Sequence, residues 1–164
     1  MAIPSRHARP EHIRVGARTF FVTSSTWGKR RLLQSERAAR FFICVLYDYR
    51  EQGKFHLHEF VVMPHHFQVL ITVDTGMTIE CAVQFIKGGF SYRATRELGS
   101  KGALWQRGFS EVRVLDNASY LGHRKYIWEN PVQAGLAEKP EDYPFSSAHA
   151  GYELDPIPQR LKPD

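Results

Sequence analysis

The chain of 164 residues contains 22 Lys and Arg against 17 Asp and Glu, which gives a formal net charge of +5. This length predicts one domain with a substantial core, and the basic balance favours a polyanionic partner such as nucleic acid. No apolar run is long enough to span a membrane, and residues 1–18 lack the apolar centre of a secretory signal. Cys44 and Cys81 form no CxxC pair, so we expect a reducing, cytoplasmic compartment.

Aromatic and β-branched residues indicate four strands. The predicted strands span residues 18–27, 55–63, 65–73 and 104–115. Apolar residues at helical spacing indicate three helices, which follow the capping residues Ser35, Thr78 and Asp116. Asn130-Pro131 is expected to end the third helix, because the residue before a proline avoids helical geometry.

The predicted order of elements, β-α-β-β-α-β-α, favours an α+β fold. The economical architecture is a ferredoxin-like antiparallel sheet with the helices packed on one face. A basic N-terminal arm is expected at residues 1–17, the main domain at 18–150 and an irregular C-terminal tail at 151–164. Gly88-Gly89 interrupts the second predicted helix, at a cost of roughly 1 kcal/mol per glycine relative to alanine. Either a close approach to the helix backbone or a kink would explain this pair.

Two side chains of metal-ligand type lie two residues apart in the third predicted strand. His66 and Gln68 point to one face and Phe67 to the other, because strand side chains alternate. Imidazole nitrogen and amide oxygen can both bind a metal ion, and the amide oxygen suits Mg²⁺ or Mn²⁺. A packed or surface role for His66 is the alternative. His65 is expected to point away from His66 and to take no part in the same site.

A second pair of candidate residues lies on the third predicted helix. Tyr126 and Asn130 are four residues apart, so their side chains stack on one face of the helix. A tyrosine beside a metal-binding amide can act as a nucleophile toward a group that the same metal holds. The alternatives are a packing role for Tyr126 and a helix-capping role for Asn130.

Four segments together resemble a known family. The first, VVMPHHFQVLI at residues 61–71, resembles the MPNHxHLL segment of the REP-associated tyrosine transposases, single-tyrosine members of the HUH nuclease superfamily. The resemblance continues, in order and spacing, in AVQFIKGGFSYRA, LWQRGFSEVRVLDNASYLGHRKYIWENPVQAGL and EDYPFSSAH. It covers residues 15–150, and its tyrosine–NPV–AGL and DYPFSSA runs are specific to the family.

This resemblance implies a ferredoxin-like fold, dependence on Mg²⁺ or Mn²⁺, and single-stranded DNA as the substrate. It implies Tyr126 as the catalytic nucleophile. The metal ligands that it implies are His66, Gln68 and Asn130. We therefore expect a site-specific single-stranded DNA endonuclease and strand transferase, with its catalytic domain at residues 18–150. The implied reaction, as in DNA transposition and recombination, passes through a 5′-phosphotyrosine intermediate on hairpin-flanked DNA.

Gln68 departs from the family pattern, because most relatives have His-hydrophobic-His where this chain has His-Phe-Gln. Three explanations stay open. Gln68 can coordinate through its carbonyl oxygen, as in HUQ variants among viral replication nucleases. The protein can instead have lost cleavage and kept DNA-hairpin binding, or the residue can have been changed deliberately. The glutamine is expected to weaken metal binding and to favour Mg²⁺ or Mn²⁺ over softer metals.

Basic side chains are expected to contact DNA phosphates, and aromatic side chains to stack on unpaired bases. The candidate DNA-binding residues are Lys29, Arg30, Arg31, Lys87, Arg93, Trp105, Arg107 and Arg113. Core packing is the alternative for Trp105. His58 and His123 are candidate proton carriers for the reaction, with a structural role as the alternative for each.

The resemblance also implies partners and a cellular setting. The implied partners are single-stranded DNA and REP hairpins, with no membrane. The implied protein is bacterial, cytoplasmic and nucleoid-associated, and the REP-associated branch favours a monomer over a dimer. A ferredoxin-like module that binds another protein is the remaining alternative.

Overall fold

The structure is a computed structural model and describes residues 16–163. Its main elements follow the predicted order β-α-β-β-α-β-α. They are β1 Arg18–Ser25, α1 Glu36–Glu51, β2 His56–Met63, β3 His66–Val73, α2 Ile79–Glu97, β4 Ser110–Val114 and α3 Asn117–Gln133. The predicted basic arm lies outside the described residues, except for Gly16 and Ala17. Within the described part, none of the helices has the length and apolar character needed to cross a bilayer.

The four strands form one antiparallel sheet in the order β2-β3-β1-β4. This is the strand order of a ferredoxin-like fold, so the predicted fold class is confirmed. A tight turn at Pro64 and His65 joins β2 to β3, and Met63 pairs directly with His66. His66 therefore stands at the end of β3, where the sheet meets the turn.

Each of the three long helices begins at its predicted cap. The side chains of Ser35, Thr78 and Asp116 each accept the backbone N–H of the residue three positions later. Such bonds satisfy a donor that has no partner within its own helix. These three sequence predictions are confirmed.

The two faces of the sheet carry different helices. Phe20 and Val22 of β1 belong to the core formed with α1 and α2, whereas Phe21 between them packs with Tyr120 and Ile127 of α3. The prediction that the helices share one face holds for α1 and α2 and needs correction for α3. The reason is that the central strands carry apolar side chains on both faces, which leaves a second apolar face for α3 to cover.

Two element boundaries differ from the sequence prediction. β4 is limited to Ser110–Val114, because Gly108 takes a left-handed φ of 73° and interrupts extended structure ahead of it. α3 continues through Pro131 to Gln133: the side chain of Pro131 is buried, and the Asn130 carbonyl still accepts from Ala134 N at 3.0 Å. Asn130 is therefore an internal helix residue and not a cap.

A C-terminal segment covers the outer edge of β2. Val62 N donates to Phe145 O at 2.8 Å, and Asp155 accepts two hydrogen bonds from Arg50 of α1 at 2.9 and 3.0 Å. The cover occupies an edge that could otherwise pair with another chain. Part of the predicted tail at 151–164 is thus packed against β2 and α1, while the domain boundary at residue 150 stays a prediction.

The Gly88-Gly89 pair makes one close contact between helices. A Cβ on Gly89 would lie 2.7 Å from Tyr49 Cε2 and 3.1 Å from Val45 Cγ1, both on α1. A Cβ on Gly88 would meet open space. The close backbone approach that the pair suggested is therefore confirmed for Gly89.

Alanine substitutions at the two glycines should have opposite effects on stability. We expect Gly88→Ala to raise the free energy of unfolding by roughly 0.5–1 kcal/mol, because alanine favours helix. We expect Gly89→Ala to lower it by about 1–2 kcal/mol, because the new methyl group displaces the ring of Tyr49. Urea denaturation of both variants measures the difference, and equal stability would show that α1 and α2 tolerate the methyl group.

Candidate active site

Two amides and one imidazole, from β3 and α3, converge at one end of the sheet. Asn130 Nδ2 lies 2.9 Å from Gln68 Oε1 and 3.3 Å from His66 Nε2. Gln68 is 2% exposed, whereas His66 and Asn130 are half-buried. The structure thus brings the three predicted metal ligands together, although Asn130 is 62 and 64 residues away from the other two in the chain.

His65 orients the ring of His66. The two Nδ1 atoms are 3.2 Å apart, and the ring centroids are 4.8 Å apart. With Asn130 donating to His66 Nε2, the proton of His66 sits on Nδ1 and is donated to His65. The Nε2 lone pair then faces Asn130 and is free of a proton, as a metal ligand requires. The prediction that His65 points away is wrong, because His65 lies in the turn and not in β3.

The imidazole of His66 is neutral at physiological pH. Burial, together with the nearby charges of His65 and Lys29, lowers the pKa of His66 to about 4. A neutral ring is the form that binds metal ions. Lys29, on the loop after β1, is therefore near enough to His66 for its charge to lower the pKa of the imidazole.

The spacing of the three groups fits a hard divalent cation. Octahedral Mg²⁺ holds its ligands at about 2.1 Å, which places neighbouring ligand atoms about 3 Å apart. The observed separations are 2.9 and 3.3 Å. If the Asn130 amide turns over, its Oδ1 replaces Nδ2 and lies next to the Gln68 oxygen and the His66 nitrogen. All three ligands are uncharged, which favours weak binding.

The described residues contain no group of the side chains that bind metal ions most often. Among residues 16–163, no three His, Cys, Asp or Glu side chains lie together in a way that could hold a metal ion.

Tyr126 lies one helical turn before Asn130 on α3 and is 58% exposed. Its ring meets Phe21 of β1 edge-on, with centroids 6.0 Å apart. The rest of the side chain is open to a large substrate such as a nucleic acid strand. The ring edge of Tyr126 thus packs on Phe21 while most of the side chain stays exposed, and the packing role considered from sequence stays open.

The two histidines considered as proton carriers have different surroundings. His123 stacks on Phe21 at 4.5 Å, the same ring that Tyr126 meets. His58 is 2% exposed, and both of its ring nitrogens are hydrogen-bonded within 3.0 Å. Burial lowers the pKa of both histidines, so both rings are mainly neutral at pH 7. His58 therefore has a structural role, and His123 is the one near Tyr126.

A buried carboxylate anchors α3 to the sheet, and sequence reasoning missed it. Glu59 of β2 is 7% exposed, and its Oε1 accepts from Trp128 Nε1 and from Ser147 Oγ, both at 2.7 Å. Trp128 lies between Tyr126 and Asn130, so this anchor fixes the helix that carries both. The DYPFSSA run was visible in the sequence, but nothing in it indicated which strand Ser147 would meet.

Glu59 should give the protein a measurable pH dependence. Burial raises its pKa above the usual 4.5, against the lowering effect of Ser147, Trp128 and Arg124. Because the folded-state pKa is raised, the stabilising contribution of Glu59 is complete below pH 4.5 and is lost as the pH rises through the folded-state pKa. We expect Glu59→Gln to flatten that part of the curve of unfolding temperature against pH.

Thermal unfolding between about pH 4 and pH 8 measures this effect against the wild type. Glu138→Gln, at an exposed position after α3, is the control for loss of a surface carboxylate. Parallel curves for wild type and Glu59→Gln would show that Glu59 titrates as it does in the unfolded chain.

Basic residues border this end of the sheet on two loops. We call these the rim loops: residues 26–31 after β1 and residues 104–107 before β4. Thr26 N donates to His65 O at 2.9 Å, which ties the first rim loop to the site. Four of the predicted DNA-binding residues are exposed on the rim loops: Lys29, Arg30, Arg31 and Arg107. The structure therefore brings these four to the border of the ligand set.

Lys87 and Trp105 are partly buried, and each donates to backbone carbonyls. Lys87 Nζ donates to the carbonyls of Gln106 and Gly108 at 3.0 and 2.9 Å, and burial lowers its pKa to about 8. The Trp105 ring packs among phenylalanine rings of the core, and its Nε1 donates to Lys87 O at 2.9 Å. Trp105 thus takes the packing role considered from sequence, and a direct DNA contact by either residue stays a prediction.

Arg93 and Arg113 are not brought to the ligand set. Arg93 forms an ion pair with Asp48 of α1. Arg113 pairs with Phe20 across the sheet, and its guanidinium lies 5.5 Å from the centre of that ring. Their proposed DNA contacts stay predictions, on surfaces separate from the rim loops.

A family model described as "Transposase IS200 like" matches residues 21–130, more than half of the chain. The match takes in His66, Gln68 and Tyr126 and ends at Asn130. The chain belongs to the IS200-like transposase family. Membership places it among DNA-processing transposases and confirms the family resemblance seen in the sequence.

Two curated relatives carry REP-associated names. The REP-associated tyrosine transposase of Escherichia coli (strain K12) is 25% identical over 139 residues, which cover 80% of this chain and 81% of that protein. The putative REP-associated tyrosine transposase of Haemophilus influenzae is 26% identical over 117 residues, or 71% of this chain. The match spans 62% of the length of the Haemophilus relative.

Two solved structures share the fold. One is a REP-associated tyrosine transposase bound to a REP hairpin, with a TM-score of 0.69 and 24% identity over 96% of this chain and 94% of that one. The other is a putative transposase from Deinococcus radiodurans, with a TM-score of 0.53 and 19% identity over 77% of this chain and 97% of that one. At these identities the likeness concerns the fold alone.

Proposed function

We propose that this protein is a metal-dependent single-stranded DNA endonuclease and strand transferase. It would act on hairpin-flanked DNA through a 5′-phosphotyrosine intermediate. The observation that carries the proposal is the convergence of His66, Gln68 and Asn130 one helical turn from the exposed Tyr126. Membership of a transposase family supports the reaction class.

In the proposed reaction, the Tyr126 oxygen attacks the phosphorus of the scissile phosphate and loses its proton. A bond forms between phosphorus and Tyr126 Oη, the bond to the 3′ oxygen breaks, and that oxygen leaves as a hydroxyl after taking up a proton. A Mg²⁺ or Mn²⁺ ion held by His66, Gln68 and Asn130 would supply Lewis-acid polarisation of the phosphate. Attack by a free 3′-hydroxyl on the phosphotyrosine reverses these bonds, so DNA is rejoined without nucleotide hydrolysis.

The proposed substrate is a single strand that flanks a hairpin. Exposed cations on the rim loops suit a DNA backbone, and each phosphate contact makes binding more sensitive to salt. The solved relative with a TM-score of 0.69 is bound to a REP hairpin, which supports a hairpin beside the strand. A monomer that acts on nucleoid DNA in the bacterial cytoplasm is the form we propose.

An adduct assay tests this function. The protein is incubated with hairpin DNA that carries a labelled, randomised single-stranded flank, in Mn²⁺, in Mg²⁺ or in EDTA. Denaturing electrophoresis then detects covalent protein–DNA species. We expect an adduct with either metal and none in EDTA. An adduct in EDTA would contradict the metal dependence, and no adduct under any divalent metal would reject the nuclease.

A DNA-hairpin-binding protein without cleavage is the second candidate. Two observations favour it. The ligand set carries no charge, which weakens the binding of a metal ion. Asn130 also already donates to Gln68 Oε1, the oxygen that a metal ion would need. This candidate predicts tight, salt-sensitive binding to hairpin DNA in EDTA and no adduct in Mn²⁺.

A further inference from the structure

The indole of Trp27 stands at the border of the ligand set and has no part in the reaction described above. Ser25 pairs with His66 across the sheet, so Trp27 is two residues beyond the strand end that faces the site. Its backbone is fixed, because Trp27 N donates to Leu104 O at 2.9 Å and links the two rim loops. The backbone of Trp27 therefore has a defined place at the strand end next to the site.

Trp27 differs from the other two tryptophans in its exposure. It is 47% exposed, whereas Trp105 packs in the core and donates to the backbone of α2. Trp128 donates its indole N–H to Glu59 at 2.7 Å. Nearly half of the Trp27 side chain is thus exposed, and an exposed indole is a large apolar surface on which another flat ring could pack.

The backbone that follows Trp27 takes a conformation that side chains disfavour. Gly28 has a φ of 60°, and Lys29 has a φ of 53°, the only positive value for a non-glycine residue between residues 16 and 163. Such conformations recur where function fixes the direction of a side chain. Here the turn places an indole ring and a cation next to each other at the border of the site.

We propose that Trp27 is the stacking platform for an unpaired base of the DNA strand beside the scissile phosphate. This subsite rests on the proposed function and deepens it. An indole can stack on the face of any base, and the exposed cations of the rim loops can hold the phosphates on either side: Lys29, Arg30, Arg31 and Arg107. Because paired bases hide their faces, the platform selects unpaired DNA over duplex.

Binding without chemistry tests the platform. Fluorescence anisotropy in EDTA measures the affinity of the full-length protein for a short labelled oligonucleotide of mixed sequence. We expect Trp27→Ala to weaken binding roughly tenfold, and Trp27→Phe to keep most of the affinity, because a phenyl ring still stacks. Leu115→Ala is the control for loss of an exposed apolar side chain, and it should bind as the wild type does.

Salt dependence separates stacking from charge. Trp27→Ala should lower the affinity by the same factor at every salt concentration, because no phosphate contact is lost. Arg31→Ala should reduce the slope of log affinity against log salt by about 0.7. Unchanged affinity in Trp27→Ala, equal losses in Trp27→Ala and Trp27→Phe, or a changed slope in Trp27→Ala would each overturn the platform.

The platform and the nuclease can fail separately. If the wild type forms no adduct but its affinity for the oligonucleotide depends on Trp27 as described, the stacking role of Trp27 is supported and the nuclease activity is rejected. If wild type forms the adduct and Trp27→Ala binds the oligonucleotide as tightly as wild type, the nuclease stands and the platform falls.

Discussion

Tyr126→Phe should abolish covalent adduct formation with hairpin DNA. The substitution removes the one oxygen that would bond to phosphorus, and phenylalanine has no atom to replace it. Tyr126 is 58% exposed and meets Phe21 only at a ring edge, so we expect the free energy of unfolding to change by no more than about 0.5 kcal/mol. Denaturing electrophoresis of the variant after incubation with labelled DNA and Mn²⁺ measures the loss.

Tyr92→Phe is the matched control for this result. Tyr92 is 62% exposed on α2, and its hydroxyl accepts from Arg96 at 2.6 Å. The same loss of a hydroxyl there should leave adduct formation unchanged. An adduct that survives Tyr126→Phe would assign the nucleophile to another residue, and mass spectrometry of the digested adduct would locate it.

Gln68→His should raise both metal affinity and the rate of adduct formation. An imidazole binds Mn²⁺ and softer divalent ions better than a neutral amide does, whereas Mg²⁺ prefers oxygen. We expect Mn²⁺ to bind about tenfold more tightly, equivalent to about 1.4 kcal/mol, with a smaller gain for Mg²⁺. Isothermal titration calorimetry measures the affinities, and the adduct assay measures the rates. Histidine and glutamine have similar volumes, so the buried site should accept the change.

The same substitution at Gln84 provides the control, because Gln84 is exposed on α2 and outside the site. Gln84→His should leave the metal affinity and the adduct rate as they are. If Gln68→His binds Mn²⁺ no better than wild type, Gln68 has no place in a metal site. If only Gln68→His forms the adduct, the chain with Gln68 is the binding protein of the second candidate function.

Local features of the sequence were sufficient for the order of the elements and for the helix starts. Ser35, Thr78 and Asp116 cap helices through bonds that reach only three residues, so the local pattern contains all the information needed. Alternation along β3 likewise placed His66 and Gln68 on one face. Pro131 misled the prediction, because the packing of α3 on the sheet outweighs the roughly 3 kcal/mol that a proline costs inside a helix.

The sequence by itself therefore determined the fold class, the family and the two pairs of candidate residues, since periodicity, capping and motif spacing act over a few residues. Only the tertiary structure decided that α3 covers the second face of the sheet and that Asn130 meets His66 and Gln68 there. It also decided that Trp105 packs against the core while Trp27 is exposed next to the site. These outcomes depend on which surfaces meet across long separations in the chain, and no local pattern encodes that choice.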